Sequence, residues 1–155
     1  MLKLTKKADY GLIAMRHLAE AGTMSCSAKD IAEAYGLPQQ ALAKILQRLV
    51  KAKLLVSQHG TNGGYVLARA PRAISAFDVI KAIDGPPFMT SCYTKRDCDQ
   101  SSRCTVREPL RKVSQGIEEV LARITLADMA SADATEQALH GGNGHRQVEE
   151  FVTLS

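Results

Sequence analysis

The 155-residue sequence predicts a mainly α fold with one small β-hairpin wing and a long C-terminal helix. Apolar residues recur at helical spacing in several runs separated by glycine and proline. A glycine-rich stretch, His59 to Gly64, divides two short strand-like runs. Beyond Pro109, an apolar seam at intervals of three and four continues to Ile124.

Residues 5–20 place Ala8, Leu12, Met15, Leu18 and Ala19 on one face of an amphipathic helix that Gly22 ends. Ser27 is a good N-cap, with Asp30 three residues on, for a short helix that begins around Ile31 and Ala32 and stops at Gly36. Pro38 suits a first helical position, and the following run buries Leu42, Ile45, Leu46 and Leu49. Two short helices joined by Tyr35, Gly36 and Leu37 form a helix-turn-helix. Directly after it, LLVSQ (54–58) and YVLAR (65–69) read as a hairpin around the glycine-rich tip, which completes a winged helix-turn-helix. Ser75 caps a further helix, AFDVIKAID, that Gly85, Pro86 and Pro87 terminate. From Phe88 to Thr105 no period is sustained, so an irregular loop is expected.

The seam Leu110, Val113, Ile117, Val120, Leu121 and Ile124 either packs onto the winged helix or pairs with its twin in a homodimer. Gly116, which permits close helix approach, favours the second. The expected organisation is therefore a DNA-binding domain at 1–85, a cysteine loop at 86–105, a dimerisation helix at 106–130 and a polar, disordered tail at 131–155.

Residues 1–70 hold ten Lys and Arg against four Asp and Glu, whereas residues 131–155 hold one against four. That excess suits a polyanionic partner, although a solvated lysine face also explains it. Met1 to Tyr10 lacks an apolar signal segment, and no run approaches the roughly 18 apolar residues of a membrane span. A cytoplasmic protein without a membrane partner is expected. In a reducing compartment, four cysteines with three in a 13-residue stretch point to metal or redox chemistry rather than a disulfide framework.

In a helix-turn-helix the second helix presents its N-terminal residues to base edges in the major groove of double-stranded DNA. Those residues are Gln39, Gln40, Ala43 and Lys44; glutamine pairs bidentately with adenine and lysine reaches guanine or phosphate. Arg48, Lys51 and Lys53 read as phosphate contacts or solvated charges, and His59, Gly60, Thr61 and Asn62 at the wing tip are placed for the minor groove. Exposed first-turn residues with no DNA role are the plainer reading of the glutamines.

Cys92, Cys98 and Cys104 are separated by five residues in each gap, wider than the usual pairing of zinc thiolates, and none of the four histidines (His17, His59, His140, His145) lies among them. Lys95, Arg96, Arg103 and Arg107 would lower thiol pKa values and offset the charge of an iron-sulfur cluster. Coincidental thiols, zinc borrowing a distant histidine and a bare redox pair remain alternatives. Cys26 stands apart and reads as a packing residue. The sequence has no CxxxCxxC motif, cofactor loop or evident catalytic triad, so no enzyme is expected.

Taken together, LTKKADYGLIAMRHLA, IAEAYGLPQQALAKILQRLVKAKLL, HGTNGGYVLAR, IDGP, the three cysteines and ITLADM resemble the bacterial winged-helix iron-sulfur transcription regulators of the IscR, NsrR and RirA type over residues 1–130. The resemblance implies a homodimer joined through the long C-terminal helix, a palindromic operator, and a cluster on Cys92, Cys98 and Cys104 near the partner's DNA-reading elements. DGPPFMTSCYTKRDCDQSSRCTVR with ITLADMA most resembles regulators of SUF cluster-assembly operons; nitric-oxide or iron-responsive repression, or a cluster-free thiol or zinc protein, are the alternatives. Where the IscR type carries a histidine ligand, this chain has Arg107. Asp9 stands where the NsrR type supplies an aspartate from the other subunit, which makes Asp9 the candidate fourth ligand and Glu108 the local alternative. A 4Fe-4S cluster is expected in preference to 2Fe-2S. His59 replaces the wing arginine of the family. The implied mechanism is that cluster occupancy orders residues 88–105 and resets the spacing of the two recognition helices, with a coupling of about 1–3 kcal/mol.

Overall fold

The computed structural model describes residues 3–86 and 102–132, in the order α1 (Lys6–Ala21), α2 (Ala28–Tyr35), α3 (Gln39–Lys51), β1 (Leu55–Gln58), β2 (Gly64–Leu67), a 3-10 turn (Pro71–Ala73), α4 (Ala76–Asp84) and α5 (Arg107–Arg123). Helical geometry resumes over residues 126–132. The expected tail beyond 132, like most of the expected cysteine loop, lies outside the described residues.

Helices α1, α2 and α4 each begin on a side-chain cap. Thr5 accepts a hydrogen bond from the Ala8 amide at the start of α1. Ser27 with Asp30, and Ser75 with Asp78, form complete capping boxes on α2 and α4. Gly36 ends α2 in the left-handed region, its N–H donating to the Ala32 carbonyl. Pro38 is extended (ψ 112°), so it caps α3 rather than opening it, one residue later than the sequence suggests.

Helices α1 to α4 surround one core in which Met15, Leu18, Ile31, Leu42, Leu46 and Leu49 are at most 1% exposed. Full burial of each such side chain is worth about 1.5–3 kcal/mol. Gly11 lets α1 and α4 meet: a Cβ there would lie 2.1 Å from Ile83 Cδ1. The N-terminal end of α1 is tied to the end of α4 by a hydrogen bond from the Thr5 hydroxyl to the Asp84 carboxylate.

Strands β1 and β2 pair antiparallel, Leu55 opposite Leu67 and Gln58 opposite Gly64. Two features go beyond the expected hairpin. Cys26 forms an antiparallel bridge to Tyr65, with N···O distances of 2.9 and 3.2 Å, so the α1–α2 turn adds a rung to the sheet. Gly64 is required there, because a Cβ would fall 2.5 Å from the Cys26 carbonyl oxygen.

The second feature corrects the single helix expected over 106–130. Helix α5 stops at Arg123, and the chain crosses back over the start of α4: Ala76 N–H donates to the Ile124 carbonyl at 2.8 Å and Leu126 N–H to the Ile74 carbonyl at 2.9 Å. Leu126 is fully buried in the core, and Thr125 with Asp128 caps the helical residues that follow. Burying Leu126 and satisfying the amide of the capped α4 terminus outweigh one more turn of exposed helix.

Candidate nucleic-acid interface and cysteine site

Helix α3 buries Leu42, Ile45, Leu46 and Leu49 and turns its opposite face to solvent. On that face Gln39, Gln40 and Lys44 are exposed and Ala43 is half-buried. Gln47, exposed and one turn beyond Ala43, continues the same face; the period that places the other four also finds it. Arg48 is exposed on the same helix, and its Nη1 donates to the Ile83 carbonyl at 2.9 Å, which fastens α3 to the end of α4. Lys51 and Lys53 are exposed. A depression of about 480 Å³ runs beside α3, lined by Pro38, Gln40, Ala41, Lys44, Ile45 and Arg48 and closed by Lys7 of α1.

His59, Gly60, Thr61 and Asn62 are exposed; Gly60 has φ 122°, and the Gly63 amide donates to its carbonyl at 3.0 Å. The wing is held to the α1–α2 turn at its root by the Cys26–Tyr65 bridge and at its tip by the Ser25 hydroxyl, which donates to the Asn62 carbonyl at 2.6 Å. Nothing local in the sequence announces that pairing, because its partners are more than 35 residues apart. Burial, and then the nearby Asp30 carboxylate, raise the pKa of Cys26, which keeps it a thiol and suits a packing role.

Of the three clustered cysteines, Cys104 is a free, half-buried thiol three residues before α5, while Cys92 and Cys98 lie outside the described residues. The N-cap of α5 is Val106, which offers no side-chain hydrogen bond, so the positive end of the helix is left without an acceptor side chain. Arg103 and Arg107 flank this point in the chain. Sulfur at this point in the chain, three residues before the helix, is a donor of the kind that iron-sulfur clusters take. The two oxygen candidates differ. Both Glu108 oxygens accept from Arg111, at 2.9 and 2.6 Å, and the Arg111 hydrogen bond first of all holds the Glu108 carboxyl below its usual range. Asp9 is exposed in the first turn of α1 and makes no side-chain hydrogen bond among the described residues. Those residues gather no group of three or more His, Cys, Asp or Glu able to hold a metal.

On α5, Leu110, Ile117 and Leu121 are half-buried, while Val113 and Val120 remain 48% and 57% exposed. Ile124 falls just past the helix at 39%. Val106, at 56%, extends the row one step earlier than the sequence count from Pro109 begins. Ser114 is the one buried residue of α5 among those described, so the helix touches the body along a narrow line. Gly116 has open space where a Cβ would be.

A helix-turn-helix with an exposed polar face on its second helix, backed by a tethered wing, defines a DNA-binding transcription regulator. The family profile Rrf2, described as an iron-dependent transcriptional regulator, matches residues 4–132, and the chain belongs to that family. It is 34% identical over 131 residues to the helix-turn-helix transcriptional regulator IscR of Sodalis glossinidius, covering 84% of this chain and 79% of that one. It is 33% identical over 133 residues to the protein aau3 of Rhizobium meliloti, covering 84% and 86%. Among solved structures, T. potens IscR matches with a TM-score of 0.66 at 35% identity over 93% of each chain. CymR, the global cysteine regulator of B. subtilis, matches with a TM-score of 0.69 at 32% identity over 85% of this chain and 98% of that one. The IscR and CymR relatives are transcriptional regulators and not enzymes. No helix among the described residues is long and apolar enough to cross a membrane.

Proposed function

We propose that the chain acts as a homodimer that reads a palindromic operator with Gln39, Gln40, Ala43, Lys44 and the wing residues His59 to Asn62, under control of an iron-sulfur cluster. Cys104 carries the reading: its free, half-buried thiol lies three residues before the start of a helix whose apolar row is open to a partner. Cys92, Cys98 and Cys104 hold the cluster, with Asp9 of the other subunit as the fourth ligand in preference to Glu108, whose oxygens Arg111 already engages. When bound, the cluster supplies a ligand-exchange and redox chemistry sensitive to iron and oxidants. A 4Fe-4S form and a SUF-type assembly operon are the finer parts of the proposal, and both rest on the sequence resemblance.

Within the chain, Arg48 ties the recognition helix to Ile83 and Thr5 ties the first turn of α1, which bears Asp9, to Asp84. The end of α4, where the cysteine-bearing segment begins, is thereby fastened to both elements that the proposal involves. The row of Val106, Leu110, Val113, Ile117 and Val120 provides the dimer seam.

Anaerobic purification with visible absorption and iron analysis, followed by operator binding of wild type and of the Cys92→Ala, Cys98→Ala, Cys104→Ala triple variant, tests the reading. Coloured, iron-containing wild type and an operator affinity changed about 5- to 150-fold in the variant are expected. A colourless, iron-free protein that binds its operator unchanged by the three substitutions overturns the cluster. Iron-free protein whose binding responds to thiol oxidation instead supports the second reading, a thiol regulator, which the likeness to the cysteine regulator CymR favours.

A further inference from the structure

The depression beside α3 has chemistry that base reading alone does not use. Lys7 and Lys44 face it from two different helices, both exposed and neither in an ion pair or hydrogen bond among the described residues. Elsewhere in the same half, Lys29 lies 3.8 Å from Glu33 and Lys81 lies over the Phe77 ring. Two unpaired cations across one concavity repel each other, and an anion between them relieves that cost. Asp9, although in the same turn as Lys7, does not line the depression.

Lys7 is also held in register with α3. Thr5, two residues earlier, is bonded to Asp84, and Gly11, one turn later, packs directly on Ile83, whose carbonyl receives Arg48 of α3. The distance from Lys7 to the reading face is therefore set by packing rather than by a flexible terminus. A helix lying in a major groove about 12 Å wide is flanked by sugar-phosphate strands, and a cation set back beside the reading residues meets one of them. We propose that Lys7, on the first turn of α1, contacts a DNA phosphate next to the bases that Gln40 and Lys44 face, so that α1 forms one wall of the DNA-binding surface. The inference rests on α3 being the reading helix.

Lys6 provides the control. It is exposed, carries the same charge and neighbours Lys7, but does not line the depression. Lys7→Met and Lys6→Met, each keeping an aliphatic stem, are compared with wild type by fluorescence anisotropy on two labelled duplexes. One is selected from a random pool by the wild-type protein, and the other is of mixed sequence; thermal midpoints confirm that the variants are folded. Loss of one phosphate contact lowers the slope of log K against log salt by about 0.9 and weakens binding about fivefold at 0.15 M salt. That loss is expected for Lys7→Met on both duplexes, with Lys7→Arg restoring it and Lys6→Met leaving the slope unchanged. Equal effects of Lys6→Met and Lys7→Met, or an unchanged slope for Lys7→Met, overturn the proposal. Failure of the reading-helix assignment is separately visible, as a Gln40→Ala variant that keeps the full preference of the wild type for the selected duplex.

Discussion

In α3 the apolar stripe of Leu42, Ile45, Leu46 and Leu49 is at most 3% exposed, whereas α5, with an equally regular row, leaves Val113 and Val120 about half open to solvent. The two helices obey one rule of periodicity and differ in what covers them. In α3 the cover comes from α1, α2 and α4 within the same chain. In α5 it comes from α4 along a line marked by Ser114, and the rest of the row is left for something else. Periodicity thus fixes which face of a helix is apolar, while the supply of partners decides whether that face belongs to the fold or to an interface.

The sharpest way to break this contrast is to remove comparable side chains from each helix. Leu46→Ala is expected to cost about 2–5 kcal/mol of stability, because its site is closed on all sides and cannot collapse. Val120→Ala, on the open row, is expected to stay within about 0.5 kcal/mol in dilute monomer yet weaken self-association. Urea unfolding for the first and sedimentation velocity for the second read the two effects. Equal destabilisation by both substitutions in monomer would mean that α5 belongs to the core after all.

A smaller effect tests how tightly the well-covered half is packed. Gly11→Ala places a methyl group 2.1 Å from Ile83 Cδ1 and 3.4 Å from Ile45 Cγ2. Ile83 is only 4% exposed, so its terminal methyl has little room to turn away. A loss of about 1–3 kcal/mol in urea unfolding is expected. Gly116→Ala on α5 meets open space, and as a glycine-to-alanine change inside a helix it is expected to stabilise the monomer by up to about 1 kcal/mol.

Much of the winged half was legible because its signals are local. Ser27 with Asp30, Ser75, Gly36, and the stripe on α3 each state their role within a few residues. What sequence reasoning missed is non-local. The Cys26–Tyr65 rung, the return of Thr125 to Ser75 and the burial of Leu126 depend on segments far apart in the chain; the local cap of Thr125 with Asp128 marks where α5 breaks but not what the chain then packs against. Arg48 illustrates the same limit at the candidate site. A cation on the exposed side of a reading helix suggests phosphate, and only the packing of α4 adds the Ile83 carbonyl that its Nη1 also engages. Glu108 likewise has a partner that its position alone does not announce: Arg111, one turn away, donates to both of its oxygens.

The finest comparison is between helix starts. Helix α2 opens on a carboxylate cap, α5 on none, and the helical residues after α5 again on a carboxylate. Asp30 accepts from the Ser27 hydroxyl and amide, and Asp128 accepts from the Thr125 amide and hydroxyl; these hydrogen bonds hold both carboxyls below the usual aspartate value. A group whose pKa is lower folded than unfolded adds stability that is fully present above its unfolded value, near pH 4, and is lost as pH falls through the folded value. Asp30→Asn is therefore expected to lower the urea midpoint at pH 7 by a small amount that shrinks toward zero as the pH is taken below about 4, and Asp128→Asn to do the same independently. Glu108→Gln is expected to follow the same pH trend, because the Glu108 carboxyl is also held below its usual range, but by Arg111 and not by a helix amide, so that salt screens its contribution. A pH-independent gap between wild type and Asp30→Asn would show that the box on α2 acts through its neutral hydrogen bonds alone, and the electrostatic distinction between the two helix starts would fall with it.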